Sequence, residues 1–364
     1  MIAGLREIAD RVLGRGEAAI TVPPFDGALK PNQLLEDATV VAELEAPEDL
    51  ASDGHVLFAS DDKRLLRFDG AGVHEVQRFD STITALATLP DGGLAVALDG
   101  REISICGGER HGKRWTRAAG KSFCAVNALS VTAKGKLLAT DGSATQPYDK
   151  WCHDLMALGR SGRLYELDPA AGSPREIASG LSYAFGVCAA ADECWVSESW
   201  RHQLLRYGTG TVGTVFDRLP GYPSRITPAT TGGFWLSVFA ARTQLVEFVL
   251  RETAFRKRMM AEIDPEYWIA PALSSGRTFL EPMQGAHIKT MGILKPWAPP
   301  RSYGLVIRLS PEGLPRYSLH SRVDGKNHGV VTAVECAGKL YALAKGSRRL
   351  LRLTIADAER ELLP

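Results

Sequence analysis

The chain has 364 residues, 45% of them hydrophobic, with 43 Lys and Arg against 42 Asp and Glu and a formal net charge of +1. So even a balance supplies no basic field for a phosphate backbone, and no base-stacking or zinc-finger motif accompanies it, which excludes nucleic acid as an expected partner. The length admits two domains, but repeated all-β architectures reach this size as one unit, and a single domain is expected over residues 41–364 behind a leading segment at 1–40.

At the N-terminus Ile2, Leu5, Ile8, Ala9, Val12 and Leu13 recur at helical spacing, which predicts a short amphipathic helix packed on the body, with a membrane-surface or partner contact as the sharper alternative. Arg6, Glu7, Asp10 and Arg11 interrupt the apolar positions. That leaves neither a signal-peptide core nor a transmembrane segment, and a cytoplasmic protein is expected. Residues 18–38, rich in Pro and Gly and poorly periodic, read as an extended stretch lying against the body.

From Ala46 onward one pattern recurs: an apolar-alternating strand, a tight turn, and a second alternating strand. It covers Ala46 to Ser60, Thr84 to Leu98, Val126 to Thr140, Ala184 to Glu198, Leu219 to Arg242 and Val331 to Ala344. In the fifth copy the turn is Thr231-Gly232-Gly233 and the second strand runs through Trp235, a hairpin signature. A third strand follows most copies, as in Arg163-Leu164-Tyr165-Glu166-Leu167 and Leu350-Leu351-Arg352-Leu353. Its apolar and charged residues alternate, so one face is buried and the other wet. About six copies at a minimum spacing of roughly 40 residues are the signature of propeller blades, which bury one another's faces. The expected fold is all-β: a six-bladed β-propeller with an N-terminal helix and a helix-containing insertion between blades five and six.

Two excursions break the repeat. Residues 142–161 interrupt blade three and carry Tyr148, Asp149, Lys150, Trp151 and His153. Residues 243–302 form the larger insertion, where Phe255, Met259, Met260 and Ile263 make a helical apolar stripe and Arg251, Arg256, Lys257 and Arg258 read as a solvated face. Long loops on a rigid scaffold line or cover sites, so the insertion reads as a closing helix, a lid over the channel, or a docking surface for a protein partner. The six cysteines include no C-x-x-C pair and read as buried hydrophobes in a reducing compartment. Cys188 and Cys194 flank one hairpin turn and are placed to face each other, but no disulfide is expected without a secretion signal.

The PPFDGALKPN stretch, Asn127 followed by Thr140-Asp141-Gly142-Ser143, the Gly162-Arg163-Leu164 strand and the LPGYPSRI and GGFWLS pair resemble the strictosidine synthase-like branch of the gluconolactonase and senescence-marker-protein superfamily. The resemblance runs from about Pro24 to Leu353 and implies a six-bladed propeller with its site at one mouth of the central channel. The family includes calcium-dependent lactonases and phosphotriesterases, a metal-free condensing enzyme, and members with no established reaction. Its metal-dependent members place a carboxylate or amide at the axial end of several inner strands, an oxygen cage for a hard cation.

Carried over position by position, the resemblance puts Glu48 at the family's glutamate in blade one and Asn127 at its asparagine in blade three. Blade four has Phe185 where the family has Asn, and blade five has Ser224-Arg225 where it has Asp-Asn; blades two and six have Thr84 and Thr332. Glu48 and Asn127 would hold a divalent cation if one bound, but they make a poor calcium cage, and Arg225 brings a permanent charge to the same place. No metal and no cofactor are therefore expected. Arg225 is expected to pair with Glu48 across the channel, holding a substrate carboxylate or oxyanion, or else to plug the channel as a structural ion pair.

The condensing branch's blade-six glutamate falls near Val331, with Glu335 off that position, so condensation ranks last. His153 is the candidate acid or base, and Phe185, Trp200, Tyr183 or Trp235 the candidate apolar lining of the mouth. No glycine loop cradles a nucleotide. The function these residues suggest is a lactonase- or esterase-type hydrolase acting on a small molecule, with a noncatalytic ligand- or protein-binding propeller as the alternative.

Overall fold

The alternating hairpins form six four-stranded antiparallel sheets in a computed structural model that describes residues 22–69, 72–170, 174–208, 212–278, 280–282 and 302–362. The expected N-terminal helix lies outside the described residues. Blade one runs from its innermost strand Pro47–Ser52 outward through Leu57–Asp61 and Arg64–Asp69 to Gly72–Arg78. Blades two to five begin at Ile83–Thr88, Val126–Val131, Ala184–Ala190 and Gly221–Pro228 and repeat the order. Blade six begins at Val330–Cys336, continues through Lys339–Ala344 and Arg349–Thr354, and takes its outermost strand, Thr39–Glu43, from the front of the chain.

That borrowed strand ties the front of the propeller to its end in one sheet, and the innermost strand of blade six packs back on that of blade one. Burial follows the alternation: apolar residues of neighbouring blades interleave, as where Trp195 of blade four meets Phe234 of blade five with ring centroids 4.5 Å apart, and within blade five Trp235 meets Tyr317 edge-on. Phe25 packs on Tyr303 and His320, and the Asn32 amide donates to the Ser318 carbonyl, so the described leading segment lies on blade five.

Carboxylates at the ends of second strands fix where the innermost strands begin. Asp61 accepts from the N–H groups of Glu45 and Ala46 and pairs with Arg64. Asp141 accepts from Ala125 N at 2.7 Å and pairs with Arg163 at 2.5 Å. Glu198 accepts from Ser182 N and the Gln203 amide. Each satisfies groups a sheet ladder would leave open at the blade's end.

The 242–304 insertion leaves from strand Phe234–Ala241 and returns at Leu305–Leu309, so it lies inside blade five, not between blades five and six. Register explains its direction. Gly221 pairs with Ala241 and Val126 with Asp141, so second strands end where innermost strands begin and both insertions emerge at the same mouth. Helix Gln244–Arg251 is capped by Thr243 Oγ1 and anchored by Glu247, which takes two 3.1 Å hydrogen bonds from Arg242 and faces His202. On helix Thr253–Glu262 the expected apolar stripe is only partly realised: Met259 is buried, whereas Phe255 and Ile263 are exposed. Arg256, expected in solvent, is buried and donates to the Leu250 carbonyl, because this helix folds back on its neighbour. Cys188 pairs in register with Trp195, so it does not face Cys194, and all six thiols are free.

Candidate functional site

Every innermost strand slips register near its start. The slips fall between Pro47 and Leu50, Ile83 and Ala85, Val126 and Ala128, Ala184 and Val187, Pro223 and Ile226, and Val330 and Thr332. A bulge frees a residue from the ladder and re-aims its side chain. Here the residues it re-aims are Glu48, Thr84, Asn127, Phe185, Arg225 and Val331, one from each blade, and all six line one cavity on the axis. The N–H groups released at two bulges are satisfied locally: Ser60 Oγ accepts from Glu48 N and Asp49 N, and Ser197 Oγ from Gly186 N. Gly186 is required by close approach, since a Cβ there would lie 2.4 Å from Ser224 O and 2.7 Å from Arg225 Cα.

Tyr148, Trp151, Tyr183, Phe239, Leu273 and Lys345 complete the lining. Trp151 begins the helix Trp151–Ala157 of the blade-three excursion, and Leu273 belongs to the blade-five insertion, so both excursions roof the mouth. Leu273 is seated on the main chain of blade six, where a Cβ on Gly346 would meet Leu273 O at 1.8 Å. The enclosed space is about 20 Å³, room for roughly one water molecule.

The polar floor is wired differently from the sequence expectation. Arg225 does not pair with the Glu48 carboxylate. Its Nη1 donates to the Glu48 carbonyl and its Nη2 to the Thr84 carbonyl, both at 2.8 Å. Its Nε lies 3.0 Å from Asp49 Oδ1, an ion-pair distance at which the N–H is not aligned for a hydrogen bond. The guanidinium sits 5.3 Å over the Phe185 ring. One side chain thus joins blades five, one, two and four. Asp49 also accepts from Leu50 N and Leu86 N; burial nevertheless pushes its carboxyl up to about 6 against the pull of Arg225 and of those donors. The Glu48 carboxylate instead pairs with Lys345.

Other expected residues lie elsewhere. Thr332 is buried beside the axial position that Val331 occupies. The aligned repeats point to Thr332, one residue too far along, and in a strand such a shift moves a side chain to the opposite face. Ser224 turns its hydroxyl to the Ser237 carbonyl and stays out of the cavity. His153 packs against Trp268 with centroids 4.7 Å apart and the rings tilted, outside the lining, and burial lowers its basicity. Trp200 stands behind Tyr183, stacked at 4.4 Å, and donates to Asp154 Oδ1 at 2.8 Å, holding the roof helix. Trp235 donates to Glu335 Oε1 in the body of the blade. Tyr148 and Tyr183 are held protonated by burial, which raises both phenols well above their usual range.

The donor set does not fit a hard cation. The carbonyls of Glu48 and Thr84 are engaged by a guanidinium, and the Glu48 carboxylate by an ammonium. Among the described residues no group of three His, Cys, Asp or Glu side chains could hold a metal.

No family model matches the chain. Adipocyte plasma membrane-associated protein of Mus musculus is 26% identical over 371 residues, covering 92% of this chain and 82% of that protein. In the Danio rerio protein of the same name the match, also 26% identical, spans 60% of each chain. Protein strictosidine synthase-like 13 of Arabidopsis thaliana is 27% identical over 177 residues, 46% of this chain and 39% of that one. Among solved structures, the gluconolactonase XC5397 of Xanthomonas campestris superposes with a TM-score of 0.55 at 15% identity, covering 92% of this chain and 95% of that one. The fold is the gluconolactonase propeller. Among the described residues no helix is long and apolar enough to cross a membrane.

Proposed function

For a chain similar to the strictosidine synthase-like branch of the gluconolactonase and senescence-marker-protein superfamily, we propose a hydrolase of small esters or lactones that works at the channel mouth without a metal. The observation that carries this reading is the Glu48–Lys345 pair. Among the described residues lining the cavity, Glu48 is the one carboxylate and Lys345 the one ammonium, and they meet where there is room for a water.

In the proposed reaction Glu48 takes a proton from that water as its oxygen adds to the substrate carbonyl. The Lys345 ammonium and the Tyr148 phenol stabilise the oxyanion. Collapse expels the alcohol or opens the ring, and the alkoxide takes the proton back from Glu48. Trp151, Phe185, Phe239, Leu273 and Val331 supply apolar walls for the acyl part. The substrate enters when the Leu273 segment lifts, and a carboxylate on it would be drawn to Lys345.

The test is a panel of aryl esters and γ- and δ-lactones assayed in the presence of a chelator. Turnover by the wild type that falls at least about a hundredfold in E48Q and in K345M, with unchanged circular dichroism, is expected. Full activity in E48Q defeats the assignment. A second reading, a noncatalytic propeller that binds a partner through the insertion, is favoured by Phe248, Phe255 and Ile263, each nearly half exposed there. Saturable ligand or protein binding with no turnover on the whole panel would select it.

A further inference from the structure

On the far side of Leu273 from the channel lies an open cleft of about 290 Å³, lined by Ser274, Ser275, Arg277, Lys326, His328 and Arg349 among others. Its composition is one-sided. Three permanent cations and the hydroxyls of Ser274, Ser275 and Ser347 face it, and no carboxylate is among its described lining residues. Three nearby carboxylates are occupied: Glu36 accepts from the N–H groups of Lys326 and Asn327, Glu43 pairs with Arg349, and Glu281 accepts from the N–H groups of Gly276 and Arg277. Among the described residues neither the Arg277 guanidinium nor Lys326 Nζ has an ion-pair partner.

One wall is built rather than incidental. His328, 4% exposed, has Nε2 2.7 Å from the Arg322 carbonyl and Nδ1 2.7 Å from Ser302 Oγ. A carbonyl only accepts, so the ring proton belongs on Nε2 and Nδ1 accepts from Ser302. Ser302 in turn accepts from Ser275, 2.6 Å away. This chain fixes the Ser275 hydroxyl at the cleft wall, and the Leu273–Gly346 contact holds the adjoining backbone.

We propose that the cleft binds a phosphate-bearing small molecule, no larger than a sugar phosphate. A dianion needs more than one cation to offset its desolvation, and Arg277, Lys326 and Arg349, gathered beside the Ser274 hydroxyl, suit a tetrahedral group with three terminal oxygens. The volume, just below the usual small-ligand range, limits the organic part.

Isothermal titration of the full chain with glycerol 3-phosphate in chloride buffer tests the site, with succinate as the dicarboxylate control and R277Q/K326Q as the variant. Both substituted side chains are exposed and, among the described residues, without an ion-pair partner, so the variant should keep the wild-type circular dichroism spectrum and melting temperature. A Kd below about 1 mM that weakens at least about tenfold in the variant is expected. No saturable binding up to about 10 mM, an unchanged Kd in the variant, or equally tight binding of succinate would each overturn the assignment. Because the cleft residues lie outside the channel lining, ester hydrolysis by the variant reports on the channel separately.

Discussion

Replacing Arg225 with methionine isolates what the guanidinium does. In R225M the side-chain volume stays close to native, but Asp49, with its side chain 3% exposed, keeps only the N–H donors of Leu50 and Leu86. A buried carboxylate that loses its partner costs about 3–5 kcal/mol, and two main-chain carbonyls left without donors add about 1 kcal/mol each. The sum, about 5–7 kcal/mol, is a large part of a typical folding free energy of about 5–15 kcal/mol. The loss also depends on pH. The folded carboxyl of Asp49 titrates at about 6 against an ordinary 3.8, so the folded state holds the proton more tightly. The stability this contributes is complete below pH 3.8 and is lost as pH rises through about 6, at most about 3 kcal/mol. Without Arg225 the folded pKa rises further, so R225M should keep losing stability above pH 6 where the wild type has levelled off. Urea unfolding followed by tryptophan fluorescence at pH 5 and pH 8 measures both effects. The double variant D49N/R225M should recover at least about 2 kcal/mol relative to the sum of the single losses. A loss below about 1 kcal/mol in R225M, or additive single losses, would refute the view of Arg225 as a tether between blades.

Three further substitutions probe the surroundings. G186A puts a methyl 2.4 Å from Ser224 O, a main-chain contact that cannot swing away, and should destabilise by more than about 2 kcal/mol in the same urea assay. H153A removes a ring that packs tilted against Trp268 outside the cavity and should leave kcat for ester hydrolysis within about twofold of wild type; a loss beyond about tenfold would return His153 to the machinery. G346A collides with Leu273 O and should lift that segment, seen as greater acrylamide quenching of the tryptophans at the mouth and faster proteolysis within residues 268–282; unchanged quenching and cleavage would show that Leu273 is not seated on this glycine.

The blades were legible because their signal is local. Alternation across a hairpin and a turn glycine such as Gly232, at φ +83°, report a strand pair without reference to the rest of the chain. Axial residues were legible only where a neighbouring cue fixed the count, as Pro47 does before Glu48 and Gly186 after Phe185. In blade six no such cue precedes Val331, and the aligned repeat slipped to Thr332. Partnerships were not legible at all. Lys345 reaches Glu48 across 297 positions of sequence and Arg225 reaches the Glu48 carbonyl across 177. Charge alone suggested that Arg225 would seek Glu48; the adjacent Asp49, turned inward by the same bulge, lies at the guanidinium. The strand Thr39–Glu43, whose burial is mixed and whose partner is the far end of the propeller, carried no pattern to find.

At the axis of a propeller six strands begin together, and the groups freed by their bulges have no neighbouring strand to pair with. Something polar must gather them. Arginine suits the task because its five N–H donors lie in one plane and its charge does not titrate away. Here two of those donors bind carbonyls on different blades while Nε faces a buried carboxylate. Lysine could supply the charge, but its compact ammonium could not span the same set of oxygens in fixed directions. With Arg225 and Asp49 engaged in holding the ring, Glu48 and Lys345 are left facing the cavity. On the proposed reaction, stability and chemistry at the mouth would therefore rest on different ion pairs. Changes at Arg225 should move the unfolding curve, and changes at Lys345, whose side chain is 23% exposed, should move turnover far more than stability.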